Sequence, residues 1–355
     1  MNISFRVDSS HDIGIGHLMR CLTLADKLQE NNHDISFICR ELTGSLISLI
    51  KYPVSVLKDN SNLQTDELYL IAGVVFQEQD AEQTIEVISK CTDLLIVDSY
   101  ALDKIWHDKL RRHTRKIMVI DDLADKLFNC DLLLNQNLGS TPKDYKGKAS
   151  NGCVFLLGCD YALLRSEFKK LRQKAVERRK NLKEINNILV SVGGSDVNNV
   201  TYDILQQLDP VFNVVAVLGA ASPHNKMIED YAVDKNIEVI VNSNNMADLM
   251  LNADLAVGAS GSTNWERLSL GLPSLVFTVA ENQVRFSKIL DDLGLIRLLG
   301  HVGESNNFSV IKETILSITD LKEWSDRCFS SCSCDGASRV VSAVEKMSLA
   351  KNDKV

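Results

Sequence analysis

The chain has 355 residues, 45% of them hydrophobic and 24% charged, an ordinary globular composition with enough apolar side chains for two cores. A formal net charge of -8 and a pI of about 5.5 argue against a general nucleic-acid binder, which needs a basic face, although a local pocket can still take an anion. The first residues read as a strand rather than a signal peptide, and no run of 18 apolar residues occurs, so the expectation is a cytoplasmic monomer outside the membrane.

The strand-like run from Ile3 to Asp8 is followed by Ile13-Gly14-Ile15-Gly16-His17, and then by Leu18, Cys21, Leu22, Ala25 and Leu28 at helical spacing. Strand, Gly-x-Gly and helix in that order bring backbone N–H groups up to a phosphate. His17 stands on the same turn. The positive end of the helix dipole favours its neutral form, which is what a general base must be. The plainer readings are that two glycines only make a turn and that His17 is a satisfied surface histidine.

Further strands are expected at Ile35–Cys39, Val54–Leu57, Leu94–Val97, Ile117–Ile120 and Leu132–Leu134. Asp98, Ser99 and Tyr100 follow the fourth strand, and Asp121 and Asp122 the fifth, on the sheet edge that carries His17. Carboxylates there often only cap helices. Adjacent aspartates point apart, so the Asp121–Asp122 pair is a poor site for a divalent ion.

Residues 166–186 are dense in charge and contain no strand, which reads as a solvated helix or linker between domains. Beyond it, strands are expected at Ile188–Val192, Val214–Leu218, Val239–Val241, Leu255–Val257 and Ser274–Phe277. The first runs into Gly193-Gly194-Ser195-Asp196, a turn suited to anion contact by backbone N–H groups. The fourth runs into Ser260-Gly261-Ser262-Thr263, where Ser262 or Thr263 could cap the helix that begins there. Glu266, one turn in, can accept hydrogen bonds from the two hydroxyls of a ribose. Gly271-Leu272-Pro273 ends that helix, and the polar loop Ala280-Glu281-Asn282-Gln283 follows the last strand; its plainer reading is a helix start.

Eleven strands alternating with helices exceed one comfortable sheet, so two doubly wound parallel-sheet α/β domains are expected. They are placed at residues 1–165 and 187–320, with the charged linker 166–186 between them and a helical tail over 321–355. Six of the nine cysteines are scattered through the sequence and read as reduced core residues. Cys328, Cys332 and Cys334 lie closer together, but a metal would want a fourth ligand, and helix packing is the plainer reading.

Taken in order, these motifs resemble the UDP-sugar hydrolase family of the pseudaminic acid pathway, to which a spore-coat polysaccharide protein is related. The resemblance rests on Phe5-Arg6-Val7-Asp8-Ser9-Ser10, Ile13 to His17, Arg20-Cys21-Leu22, Leu94 to Tyr100, Cys130 to Asn135 and Tyr161 to Phe168. In the second half it rests on Gly193 to Asp196, the 258–266 stretch and Asn282-Gln283. It implies a GT-B-like fold, two Rossmann-like domains facing a cleft. It implies inverting hydrolysis of UDP-2,4-diacetamido-2,4,6-trideoxy-β-L-altropyranose to UDP and the free sugar, with no metal and no cofactor. The family's base matches His17, and its substrate contacts match Tyr100, Arg165, Glu266 and Asn282. Asp8, Gly14, Gly16 and Gln283 join the sugar site on this reading. Gly193, Gly194, Ser195, Ser260, Gly261, Ser262, Thr263 and Glu266 form the UDP site. The expected partner is a small nucleotide sugar, for a surface polysaccharide. The tail beyond about residue 320 is longer than in the shortest members. A GT-B glycosyltransferase, a 2-epimerase-type enzyme and a non-catalytic nucleotide-sugar sensor remain open alternatives.

Overall fold

The computed structural model describes residues 1–10, 13–58, 74–194, 196–220, 222–303 and 308–349. The chain divides into two units, Met1–Leu163 with Asp335–Val355, and Leu164–Cys334.

The first unit holds seven strands: β1 Asn2–Val7, β2 Asp34–Arg40, β3 Val54–Leu57, β4 Leu94–Asp98, β5 Lys116–Ile120, β6 Leu132–Asn135 and β7 Val154–Leu157. They lie side by side in the order β3-β2-β1-β4-β5-β6-β7, and every pair is parallel. Runs such as Leu94-Leu95-Ile96-Val97 are apolar throughout because both faces of the sheet are covered. Side chains alternate between the faces. Phe5, Val7, Leu94, Ile96, Met118 and Ile120 pack with Leu18, Cys21 and Leu24 of helix α1 (Gly16–Glu30), while Leu95, Val97, Ile117 and Val119 pack with Trp106 and Leu110 on the other face. Helices α2 (Val74–Val87) and α3 (Lys104–Leu110) lie on that second side, where Asp80 accepts from Trp106 Nε1 at 2.9 Å.

The second unit repeats the scheme with β8 Asn187–Ser191, β9 Asn213–Leu218, β10 Ile237–Val241, β11 Leu255–Ala259, β12 Ser274–Thr278 and β13 Arg297–His301, ordered β10-β9-β8-β11-β12-β13. Its helices are α4 Ser166–Arg179, α5 Val200–Gln207, α6 Asn225–Ala232, α7 Met246–Asn252, α8 Thr263–Ser269, α9 Val284–Asp292, α10 Val310–Ser317 and α11 Leu321–Ser331. Gly258 is pressed onto β8, where a Cβ would lie 1.9 Å from the Ser191 carbonyl oxygen, so only glycine fits.

Three features depart from the sequence reading. Strands β7 and β13, one edge of each sheet, go unrecognised in it; Val154 at the start of β7 is 49% exposed. The segment from 321 is not one tail, since α11 belongs to the second unit, whereas the C-terminal helix Gly336–Leu349 packs Val340, Val341 and Val344 into the core of the first. Gly336 permits this docking: a Cβ there would lie 2.1 Å from the Ala162 carbonyl oxygen.

The charged stretch from 166 is the third departure. Helix α4 turns Phe168, Arg172, Ala175 and Arg179 to one side, at spacings of four, three and four. The fully buried Arg179 donates to the carbonyls of Met250, Ala253 and Leu270 at 2.7–2.9 Å. Arg172 donates to those of Ser269, Phe329 and Cys332. These carbonyls lie at or just beyond the C-termini of α7, α8 and α11, where helix carbonyls lack internal partners and the dipole end is negative. The arginines therefore cap helices rather than face solvent.

Candidate active site

Because every pair in the first sheet is parallel, the residues after β1, β4 and β5 share one edge. Asp8, just past β1, is 3% exposed; its Oδ1 lies 2.6 Å from Arg6 Nη1 and accepts the Arg40 backbone N–H at 2.6 Å. It ties β1 to β2. Gly14 then takes φ +77, a conformation that L side chains rarely adopt, and its N–H closes the turn on the Ser10 carbonyl at 2.9 Å. Gly16 opens α1, so His17 lies in the first helical turn.

His17 is 8% exposed and its Nδ1 lies 2.6 Å from Asp98 Oδ1. Asp98 is the last residue of β4 and is paired beside Val7 of β1, so sheet register brings the two together. Burial alone would raise the Asp98 carboxyl. The Arg20 guanidinium and His17 outweigh it and hold Asp98 well below the usual carboxylate range. An ionised carboxylate has no proton to give, so the bond to Asp98 is donated by Nδ1–H, and in the neutral ring that arrangement leaves Nε2 as the acceptor.

Arg20, one helical turn beyond His17, donates from Nε to Asp98 Oδ2 and from Nη2 to Asp98 Oδ1, both at 2.6 Å, and from Nη1 to Asp122 Oδ2 at 3.1 Å. The Tyr100 hydroxyl donates to Asp122 Oδ1 at 2.7 Å, and its ring meets the imidazole edge-on at a centroid distance of 4.6 Å. Burial, reinforced by the Asp122 carboxylate, pushes the Tyr100 phenol well above its usual value, so it remains a donor. The neighbouring Asp121 does different work. It accepts from Tyr145 Oη and the Ala124 N–H at 2.8 Å each, and burial raises its carboxyl to about 6. Arg20, Asp98 and Asp122 are the members of this cluster to which sequence reasoning gave no site role, although it set both aspartates on this sheet edge. The signal for Arg20 was its i+3 spacing from His17 on one helix face.

In the second unit Gly193 takes φ +121, and Gly219 packs so closely that a Cβ there would lie 1.8 Å from the Gly194 carbonyl oxygen. Ser195 lies outside the described residues. Asp196 accepts the N–H groups of Val200 and Thr201 at 2.8 and 3.0 Å and so caps α5. Ser260 is buried, with its Oγ 2.5 Å from Ser287 Oγ and accepting from Asn264 Nδ2 at 2.9 Å. Gly261 follows at φ +146. The expected cap from Ser262 does not form: at φ -57 and ψ -26 the residue is already helical, a conformation in which its side chain makes no cap bond. Thr263 begins α8. A side chain at Gly261 would come within 3.9 Å of Gln283 Nε2, while Gln283 Oε1 accepts the Val279 N–H at 2.9 Å. The 279–283 loop therefore sits beside the Gly261 turn, with Asn282 exposed on it.

Arg165, just before α4, donates from Nη2 to Glu266 Oε1 at 3.2 Å and pairs through Nη1 with Glu167 at 3.1 Å. Burial raises the Glu266 carboxyl against the pull of Arg165. The structure thus joins Arg165 to Glu266, at the first turn of α8. Among the described residues no group of three or more His, Cys, Asp or Glu could hold a metal ion, and no helix is long and apolar enough to cross a membrane. Cys328 donates to the Leu295 carbonyl at 3.4 Å and Cys332 to that of Trp265 at 3.8 Å.

Residues 166–288 match the glycosyltransferase family 28 C-terminal domain. Across 97% of both chains the fold is that of UGT71G1 from Medicago truncatula, solved with UDP-glucose, at a TM-score of 0.66 and 11% identity. That likeness shows the GT-B class of two parallel-sheet α/β domains. An uncharacterized protein of Methanocaldococcus jannaschii is 29% identical over 293 residues, 80% of this chain; the match spans 57% of that longer protein. The UDP-2,4-diacetamido-2,4,6-trideoxy-β-L-altropyranose hydrolase of Campylobacter jejuni is 30% identical over 267 residues, covering 74% of this chain and 87% of that one. With that identity and coverage, the chain belongs to the family of UDP-sugar hydrolases of the pseudaminic acid pathway.

Proposed function

We propose that this protein hydrolyses UDP-2,4-diacetamido-2,4,6-trideoxy-β-L-altropyranose to UDP and the free sugar, with inversion and without a metal. The observation that carries the reading is the His17–Asp98 pair. A buried carboxylate fixes the imidazole tautomer and leaves Nε2 to take a proton from water. The activated water attacks the anomeric carbon from the face opposite UDP, and the C–O bond to the diphosphate breaks. UDP leaves unprotonated, so no carboxylic acid partner is needed, unlike in inverting glycosidases.

The second unit is the nucleotide side of this reading. Backbone N–H groups at Gly261 to Thr263 stabilise the diphosphate charge as it develops. Glu266, held by Arg165, takes the ribose hydroxyls. On the first unit Tyr100 is the sugar contact of this reading, with Gly14 and Gly16 forming the turn that carries His17 and Asp8 tying β1 to β2 behind it; on the second unit the sugar contacts are Asn282 and Gln283. The similar Medicago protein is itself complexed with UDP-glucose, and the Campylobacter relative is named for this hydrolysis.

One observation favours a second reading. The family 28 match over the second unit fits a transferase in which a sugar hydroxyl replaces water. Turnover in heavy-oxygen water with no acceptor present separates the two. Label in the anomeric hydroxyl of the released sugar, and none in UDP, supports hydrolysis at carbon. UDP release that depends on an added sugar acceptor would move the assignment to a transferase.

A further inference from the structure

We propose that Arg20 is a positioning residue that keeps His17 available as a base, by sharing the Asp98 charge that would otherwise fall on the imidazole. The inference rests on His17 being the base of the proposed reaction. Its geometric support is direct. Asp98 Oδ1 accepts from both His17 Nδ1 and Arg20 Nη2, each at 2.6 Å, while Asp98 Oδ2 accepts from Arg20 Nε at 2.6 Å. The third guanidinium nitrogen reaches Asp122, which also holds the Tyr100 hydroxyl. One planar fork thus fixes both carboxylates that flank the histidine, a geometry a lysine cannot reproduce.

The charge count around His17 shows what the fork does. The facing groups are Asp98 at the end of β4, Tyr100 just beyond it, Asp122 beyond β5, and Arg20 on α1 itself. Cys21 donates its thiol to Asp98 Oδ2 at 3.5 Å. Burial raises the Cys21 thiol, and burial together with Asp122 raises the Tyr100 phenol, so neither carries charge. Two carboxylates and one guanidinium remain. Without Arg20 both carboxylates would act unopposed on the imidazole and favour the imidazolium, whose Nε2 has no lone pair for water. Burial disfavours the Arg20 charge, but Asp98 and Asp122 outweigh it, so the guanidinium stays charged whenever the carboxylates are.

The test is the ring titration of His17 followed by NMR in the unliganded protein, with its resonance among the seven histidines identified by its loss in His17→Gln. In Arg20→Met the titration midpoint is expected to rise by about one pH unit, the usual effect of unmasking a nearby carboxylate. The acid limb of kcat/KM should move up by the same amount. Adding Asp98→Asn to Arg20→Met should reverse the shift, which a merely structural role for Arg20 would not do. Should the methionine variant fail to fold, Arg20→Gln keeps a donor without the charge and is read the same way. An unchanged ring titration in either variant, or a double variant that stays shifted, overturns the inference. A shifted ring with an unmoved acid limb upholds the charge link and instead removes His17 as the base.

Discussion

The two sheets share a strand order around their central strands, β3-β2-β1-β4 and β10-β9-β8-β11, yet their carboxyl edges carry different chemistry. On the first edge a histidine, an arginine and two aspartates are locked together by charge-assisted bonds of 2.6–3.1 Å. On the second edge the residues are small: Gly193 and Gly194 after β8, Ser260 to Ser262 after β11, with one glutamate a turn inside α8. Parallel topology supplies both edges with helix N-termini and strand ends. Side-chain choice then decides whether an edge moves protons or receives an anion. The comparison teaches that a doubly wound fold offers the positions and the local residues assign the task.

Substitutions can break that division of labour one edge at a time. The largest effect is expected from His17→Ala on the first edge. Turnover should fall by roughly 10²–10⁴-fold, the usual worth of a general base, while UDP affinity measured by calorimetry stays near that of the unaltered protein. Loss of UDP binding would show that the first edge also holds the nucleotide.

Asp98→Asn strips the same edge of its buried anion. Leaving Arg20 without its main partner should cost about 3–5 kcal/mol in denaturant unfolding. The pH dependence has a definite sign. The folded Asp98 carboxyl lies below its unfolded value of about 3.9, so its stabilisation is present above that pH and is lost as pH falls toward the folded value. The gap between the two proteins should therefore be widest near neutrality and shrink below about pH 4. A gap that grew in acid would contradict the ion-pair account.

Arg179→Met probes the scaffold of the second edge rather than its chemistry. Three buried carbonyls lose their donor, so stability should fall by about 2–3 kcal/mol with kcat unchanged. The smallest effect belongs to Glu266→Gln. UDP should bind about tenfold more weakly, the worth of a hydrogen bond to a charged group, with the folding midpoint barely moved. Unaltered affinity there would remove Glu266 from the ribose site.

Parts of this architecture are legible in sequence for a physical reason. Strands buried on both faces read as near-continuous apolar runs, such as Leu94 to Val97 of β4, and stand out against their background. The edge strand β13, Arg297-Leu298-Leu299-Gly300-His301, needs no such continuity and carries a weaker pattern, whereas β7, Val154-Phe155-Leu156-Leu157, is apolar throughout and goes unread despite it. The arginines of α4 read as solvated because a charge run reveals nothing about its acceptors. Here the acceptors are backbone carbonyls 71 to 160 residues away. Similarly, the turn at Gly14 announces His17 locally, but the pairing of His17 with Asp98 spans 81 residues and depends on β1 lying beside β4. Asp121 and Asp122 differ in sequence by nothing but position, and only the path of the turn after β5 decides that Asp122 meets Arg20 while Asp121 turns to Tyr145.

The most direct test of the central claim is a proton NMR time course on the purified protein with UDP-2,4-diacetamido-2,4,6-trideoxy-β-L-altropyranose, without acceptor or added metal, run beside His17→Ala. The account predicts prompt UDP release from the unaltered protein, with the anomer of inverted configuration appearing first and little turnover in the variant. Release of the retained anomer, or equal rates from the two proteins, would contradict it.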